Sequence, residues 1–334
     1  MATGIRSLRK IQFYREANAG VAAPATTVWR GIGTILDNIQ VVRVSEDVGI
    51  VSGTTRTNIP MKGSTIALGQ TPATFEQMLH ILEMGIKTAT PAADGAGTDY
   101  IYTYAFPTTA ANTIKTYTIE GGDNNEAEVT SYCFVKDFTL SGSGRTGYQL
   151  QANVQGRTVS LQAFTASLAL PTVSSMNFGM TKIYQDAIGG VIGTTIKAST
   201  VRGVNFKFAS GIEAKDTADG RLDFSFTQGT DYVCTCDMEF EHDAIAAAQK
   251  VLWRAQTPVL IQVKIEGSTA FATPGTAYSV PTMKINMPGY WESFSKIGEA
   301  NGNDIVTGKF VSAYNTTSAS AGSILVAAEL ATVP

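Results

Sequence analysis

The sequence predicts a mainly β chain with one short helix in each of two repeats. Charged residues make up only 16% of the 334 residues, against about 25% in an average soluble protein. Glycine accounts for 32 positions and threonine is frequent, a composition of short strands and tight turns. Period-two alternation recurs along most of the chain, and only two stretches, one per half, show helical spacing.

Taken in order, extended segments are expected at 40–51 and 64–68, joined by a long Gly/Thr-rich loop that covers 46–69. The first helix follows. Thr71 can cap it, Pro72 suits the first helical position, and Phe75, Met78, Leu79, Leu82 and Ile86 form its stripe up to a stop near Gly85. Strands are then expected at 100–106, 115–120, 131–140 and 148–159. In the second half they are expected at 201–209, with Val204, Phe206 and Phe208 on one face, at 222–226 with Leu222, Phe224 and Phe226, and at 232–241. Asp243 caps the second helix, whose stripe is Ile245, Ala248, Leu252 and Ala255, and Pro258 ends it. Further strands are expected at 259–266, 278–287 and 305–313.

The two halves repeat one order of elements. Thr118-Ile119-Glu120-Gly121 follows the first helix as Lys264-Ile265-Glu266-Gly267 follows the second. Segments 136–142 and 283–289 are each a strand ending in glycine. Hairpin, helix, then further strands is the pattern of two copies of one fold side by side. The boundary is expected in 168–177, where LALPTVSSMN breaks the pattern. The first domain then covers 1–170, with an N-terminal arm and the loop 46–69, and the second covers 171–334.

Charge and cysteine content exclude several classes. Lys plus Arg is 25 and Asp plus Glu is 28, a net charge of −3, which suits neither a basic nucleic-acid reader nor an acidic disordered tail. No run of about 18 apolar residues is present, so no membrane-spanning helix is expected. The first twenty residues lack an apolar signal core, and three cysteines do not make a disulfide framework, so an intracellular, reduced product is expected.

The motifs that suggest chemistry have simpler readings. Gly142-Ser-Gly144-Arg-Thr-Gly147 fits GxGxxG, but the residues that follow alternate like a strand, which makes it a hairpin loop. Cys234 and Cys236 with His242 and Asp243 have spacing a metal would accept. Tyr232, Cys234, Cys236, Met238 and Phe240 nonetheless share one strand face, so a core stripe is expected, and Cys133 between Tyr132 and Phe134 is read as packing too. Glu76, His80 and Glu83 share a helix face and are expected to form a solvated polar surface. No catalytic set, metal site or cofactor is expected. Asp237, Glu239 and Glu241 project together from the face opposite the cysteines. On a lone sheet they would simply meet water, whereas in a closed ring of strands they would line a channel and repel phosphates.

Two β-rich repeats with one amphipathic helix each resemble the tail tube (major tail) proteins of long-tailed bacteriophages, in the version with the tube domain duplicated in one polypeptide. The residues that carry the resemblance are GVNFKFASGIEAKDTADGRLDFSFTQGTDYVCTCDMEFEHDAIAAAQKVLW (203–253), VLIQVKIEGS (259–268) and TPATFEQMLHILEMGI (71–86). The resemblance implies two tandem tube-like β-sandwich or half-barrel domains in a structural subunit of the virion tail, assembled in the host cytoplasm without a membrane anchor. It implies a homotrimeric, pseudo-hexameric ring, stacked around a lumen through which genomic DNA passes during ejection without sequence-specific binding. Tape measure, tail terminator and distal tail or baseplate proteins are the implied partners.

Within that reading, Asp237, Glu239 and Glu241 are the lumen candidates. Thr54, Thr55, Arg56, Thr57 and Asn58 of the long loop are the ring-stacking candidates, with Arg6, Arg9, Lys10 and Arg15 of the N-terminal arm as a second set. A β-sandwich surface, adhesion or carbohydrate-binding protein is the alternative. An enzyme on a β scaffold would need carboxylates or ligands clustered in a concave site.

Overall fold

The computed structural model describes residues 3–334, and it is mainly β with two α-helices. The first half runs β1 (Lys10–Arg15), β2 (Thr27–Trp29), β3 (Gly33–Asp37), β4 (Gln40–Ser45), β5 (Thr54–Met61) and β6 (Ser64–Pro72) into helix α1 (Phe75–Gly85). It continues with β7 (Ala92–Ala93), β8 (Tyr100–Ala105), β9 (Tyr117–Gly122), the long β10 (Ala127–Ser143), β11 (Gln149–Gly156) and β12 (Val159–Gln162). The second half runs β13 (Thr181–Ala187), β14 (Val201–Ala209), β15 (Ile212–Lys215), β16 (Phe226–Gly229) and β17 (Val233–Glu241) into α2 (Ala244–Arg254). After it come β18 (Val259–Glu266), β19 (Thr282–Phe294), β20 (Gly298–Ala300), β21 (Asn303–Ser312) and β22 (Ser323–Ala328).

The same six antiparallel pairings occur in each half. The ladders β1–β9, β3–β6, β6–β11, β9–β10, β10–β11 and β10–β12 of the first have counterparts in the second. These are β13–β18, β14–β17, β17–β21, β18–β19, β19–β21 and β19–β22. The long strands β10 and β19 each change partners part-way, β10 from β9 to β11 at Cys133/Phe134 and β19 from β18 to β21 at Gly289, with an irregularity in register just beyond, at Val135/Asp137 and at Trp291/Ser293. Such a bulge bends the strand, so one end serves one sheet and the other end a second. Between the halves, β10 pairs with β14 from Asp137↔Ala209 to Ser143↔Gly203, and β22 pairs with β8.

Traced ladder by ladder, the main sheet runs β3–β6–β11–β10–β14–β17–β21 and then to the end of β19. It is covered on one face by a core that is continuous from Ile11 to Val333. Helix α1 lies inside that core, against β10, β8 and β22, and α2 covers β19. A Cβ on Gly289 would stand 2.0 Å from the Val311 carbonyl oxygen, so glycine is what lets β19 and β21 meet at the branch.

Several expectations are corrected. Residues 46–69 are not a loop: β5 pairs with β4 as an exposed arm, and β6 begins at Ser64. Thr71 and Pro72 end β6 rather than start α1, because both stay in register with Leu150 and Gln149 of β11, and Thr74 takes the N-cap position. Residues 222–225 are not a strand, and Phe226 only opens β16. Phe224 is buried against Tyr132 and Phe134, and the Arg157 guanidinium binds the Phe224 and Ser225 carbonyls, while Leu222 and Phe226 are exposed. On α2 the buried residues are Ala246 and Gln249, with Ala248 and Ala255 exposed, because Gln249 accepts the Trp291 indole N–H. The cap of α2 is as expected, with the Asp243 carboxylate accepting the Ala246 N–H at 2.8 Å.

Candidate functional site

Strand β17 sorts its side chains as its alternation predicts. Cys234, Cys236, Met238 and Phe240 are buried, and Asp237, Glu239 and Glu241 stand half-buried on the other face. Pairing with β14 and β21 places Asp237 between Asn205 and Lys309, and Glu239 beside Thr307. The neighbouring strand also supplies cations. Lys207 Nζ is 3.1 Å from Asp237 Oδ2, and Arg202 reaches Glu241 at 3.1 Å and Glu239 at 3.5 Å.

The sheet face is therefore polar and mixed in charge, not a bare acidic stripe. Arg202 and Lys207 partly offset Asp237, Glu239 and Glu241, Lys309 pairs with Glu292 at 2.6 Å, Asp137 accepts from the Asn153 amide, and Thr, Ser, Gln and Asn fill the positions between. Over the β10–β14 junction the face holds a groove of about 590 Å³, lined among others by Ser141, Gln149, Asn205, Asp237 and Glu239.

At its ends the sheet presents two open edges. Among the described residues the only ladder of β3 is with β6, leaving its outer edge free. That edge carries Ile32, 67% exposed, and Leu36, 62% exposed. At the other end β19 and β20 both pair inward with β21, and Ile297 between them is 54% exposed. An edge that shows apolar side chains and unpaired backbone groups is a template for another strand.

The arm formed by β4 and β5 is the third surface. Every residue of β5 is exposed, including Thr54, Thr55, Arg56, Thr57 and Asn58, which lie in the strand and not in a loop. Its tip carries exposed Val48, Ile50 and Val51, and Glu46 braces it by accepting from Arg56 Nε at 2.9 Å. At the N-terminus Arg6 and Arg9 are exposed around a single 3-10 turn. Lys10 opens β1 with its ammonium 4.3 Å over the Phe164 ring. Arg15, grouped with them on sequence, instead points to the core.

The helix face expected to be solvated is buried. His80 and Glu83 lie inside, because α1 is enclosed by strands. Arg15 holds Glu83 with two N–H donors at 2.7 and 3.1 Å, and the Tyr117 hydroxyl donates to the same carboxylate at 3.2 Å. His80 Nδ1 is 3.2 Å from the Tyr117 hydroxyl. Burial, then the Arg15 charge, pushes the His80 pKa down to about 3, so the imidazole is neutral. Sequence reasoning missed Arg15 as the partner, since it is 68 positions away on another element.

Cys133, Cys234 and Cys236 are free and buried, and burial raises all three thiols, which keeps them protonated and unreactive. His242 is exposed, 3.3 Å from the Lys250 ammonium, and Asp243 caps α2, so the fold separates the Cys/His/Asp set. The GxGxxG segment is the turn from β10 to β11, as expected, with Gly144 at φ +57°.

No protein-family model matches the chain, and no curated protein matches it.

Proposed function

We propose that the chain is the structural subunit of a phage tail tube, with three copies closing into a ring and the rings stacking around a DNA-conducting lumen. The observation that carries this reading is the repeated pairing set with its mismatched ends. Inside the chain, the branched strand of the first half (β10) pairs with the first strand of the second half's sheet (β14). The corresponding strands, β19 and β3, have no such partner within the described residues. One contact, made once within the chain and once between chains, extends the sheet from copy to copy.

A head-to-tail contact of this kind closes into a ring when the rotation per copy divides a full turn. With two equivalent units per chain, three copies make a ring of pseudo-sixfold symmetry. The sheet face bearing Asp237, Glu239 and Glu241 then lines the lumen, opposite the core. A polar face with its Lys and Arg already engaged offers DNA phosphates few free cations, so the genome slides past it. The arm, exposed on both faces and apolar at its tip, reaches the next ring.

The test is an edge variant. Leu36→Lys with Ile297→Lys places like charges on both open edges, where lysine is a natural block to strand addition. Both residues are exposed, so the chain should remain folded by circular dichroism yet stay monomeric in sedimentation. Rings or tubes from this variant, seen by electron microscopy, would remove the basis for edge pairing.

A further inference from the structure

The ladders put the two halves in residue-by-residue correspondence. Leu36, Thr65, Gln155 and Phe134 lie in one row across β3, β6, β11 and β10. Lys207, Thr235, Val311 and Tyr290 lie in the matching row across β14, β17, β21 and β19. Each row meets its long strand one residue before the irregularity, at Val135/Asp137 and at Trp291/Ser293. The match carries on into the helices. Pro72 and Glu241 end β6 and β17 opposite Gln149 and Ile305, and two residues later Thr74 and Asp243 take the N-cap positions of helices of 11 residues each.

At the junction inside the chain, Thr139 pairs with Lys207, Phe138 with Phe208 and Asp137 with Ala209. The segment that follows β14 then folds back over β10, where Ile212, 7% exposed, and Phe224 cover Phe134, which is 0% exposed. The matching groups at the open edges lie bare. Tyr290, in the place of Phe134, is 38% exposed. Val41 follows Leu36 as Ile212 follows Lys207, five residues on, and is 53% exposed.

We propose that the open edge of β3 in one copy joins the end of β19 in the next in the register of the internal junction, with Ser295 opposite Leu36, Phe294 opposite Asp37, Ser293 opposite Asn38, and Val41 seated on Tyr290. This rests on the ring reading above, and it adds a fixed register and an apolar contact at the base of the arm. The occupant of each edge is a second copy of the chain, because the internal junction already shows these two kinds of surface meeting. Strand edges alone specify register weakly, and an apolar side chain that must find its seat pins it. The seam differs from the junction at one position. Asp37 stands where Phe208 does, and Lys296, exposed next to Ser295, is the cation that meets it. Beyond Val41 the tip of the arm stays clear of this contact.

The test is cross-linking in rings assembled from the full chain. Leu36→Cys with Ser295→Cys should give covalently closed trimers on mild oxidation, since residues directly opposite on antiparallel strands lie within disulfide reach. Leu36→Cys with Ser293→Cys moves one partner two residues along the same face and should give a small fraction of that yield. All three positions are exposed, so the variants should fold. Leu36 and Ser295 lie at opposite ends of the sheet, so no disulfide within one chain competes, and Cys133, Cys234 and Cys236 are buried. Independently of any cross-link, Val41→Ser with Tyr290→Ser should raise the concentration for half-maximal ring formation by about tenfold, because the apolar seat is lost. Rings that cross-link best through the offset pair or through neither, or that form as readily without Val41 and Tyr290, would overturn the inference and leave the ring reading standing. A parent protein that forms no rings would overturn both.

Discussion

Glu83 lies wholly inside the protein, and the Arg15 guanidinium meets it with two N–H donors. Removing one member of such a pair costs more than the pair contributes, because the other charge is left buried alone. Arg15→Met should destabilise the fold by about 3 kcal/mol, the low end for buried pairs because the Arg15 side chain is 32% exposed, and Arg15→Met with Glu83→Leu should regain much of the loss. Urea unfolding of the single and double variants checks this. His80 gives a pH dependence whose sign follows from its depressed pKa. Below 6.5 the unfolded chain takes up a proton that the folded chain refuses until about 3, so stability falls as pH drops between these values. His80→Phe removes that proton, so its unfolding midpoint should fall less than the parent's from about pH 7 to about pH 5. Equal falls would mean that His80 is protonated in the folded protein. At this scale the faces of β17 were legible, because alternation alone separates Cys234 and Cys236 from Asp237 and Glu239. The cations beside them were not, since Lys207 and Arg202 reach those carboxylates only through the register of β14 against β17.

Elements with one buried face were legible, and elements with two similar faces were not. Segment 201–209 shows its alternation because Val204, Phe206 and Phe208 enter the core, and its bounds match the expectation. The arm hides its strands because both faces of β5 meet solvent, so nothing in its pattern alternates. Helix α1 has the opposite problem. It is buried nearly all round, so Glu76, His80 and Glu83 read as a solvent face although His80 and Glu83 are inside and Glu76 is half-buried. The arm also sets the element-scale prediction. Val48→Ser, Ile50→Ser and Val51→Ser together change only exposed tip residues, so the chain should fold and form single rings that no longer stack. Electron microscopy of that triple variant distinguishes the cases, and tubes of normal length would show that the tip carries no ring-to-ring contact.

Across the whole molecule, the order of elements was readable before their pairing. The placing of 118–121 against 264–267 fits the structure in that β9 and β18 each pair with a long branched neighbour, β9 with β10 and β18 with β19, although β7 and β8 stand between α1 and β9 while β18 follows α2 directly. The junction of the halves was not readable. Pairing of β10 with β14 joins residues 60 to 72 positions apart, from Ser143↔Gly203 to Asp137↔Ala209, and neither strand carries a local mark of its partner. The break that proline and serine suggest at 168–177 falls between β12 and β13, while side chains from both halves share one core across it. The central claim is that one intrachain contact is repeated between chains, two units per chain, to close a sixfold arrangement. Native mass spectrometry of isolated rings tests it most directly. The account predicts rings of three chains, whereas rings of six chains, or a protein that remains monomeric at every concentration, would contradict it.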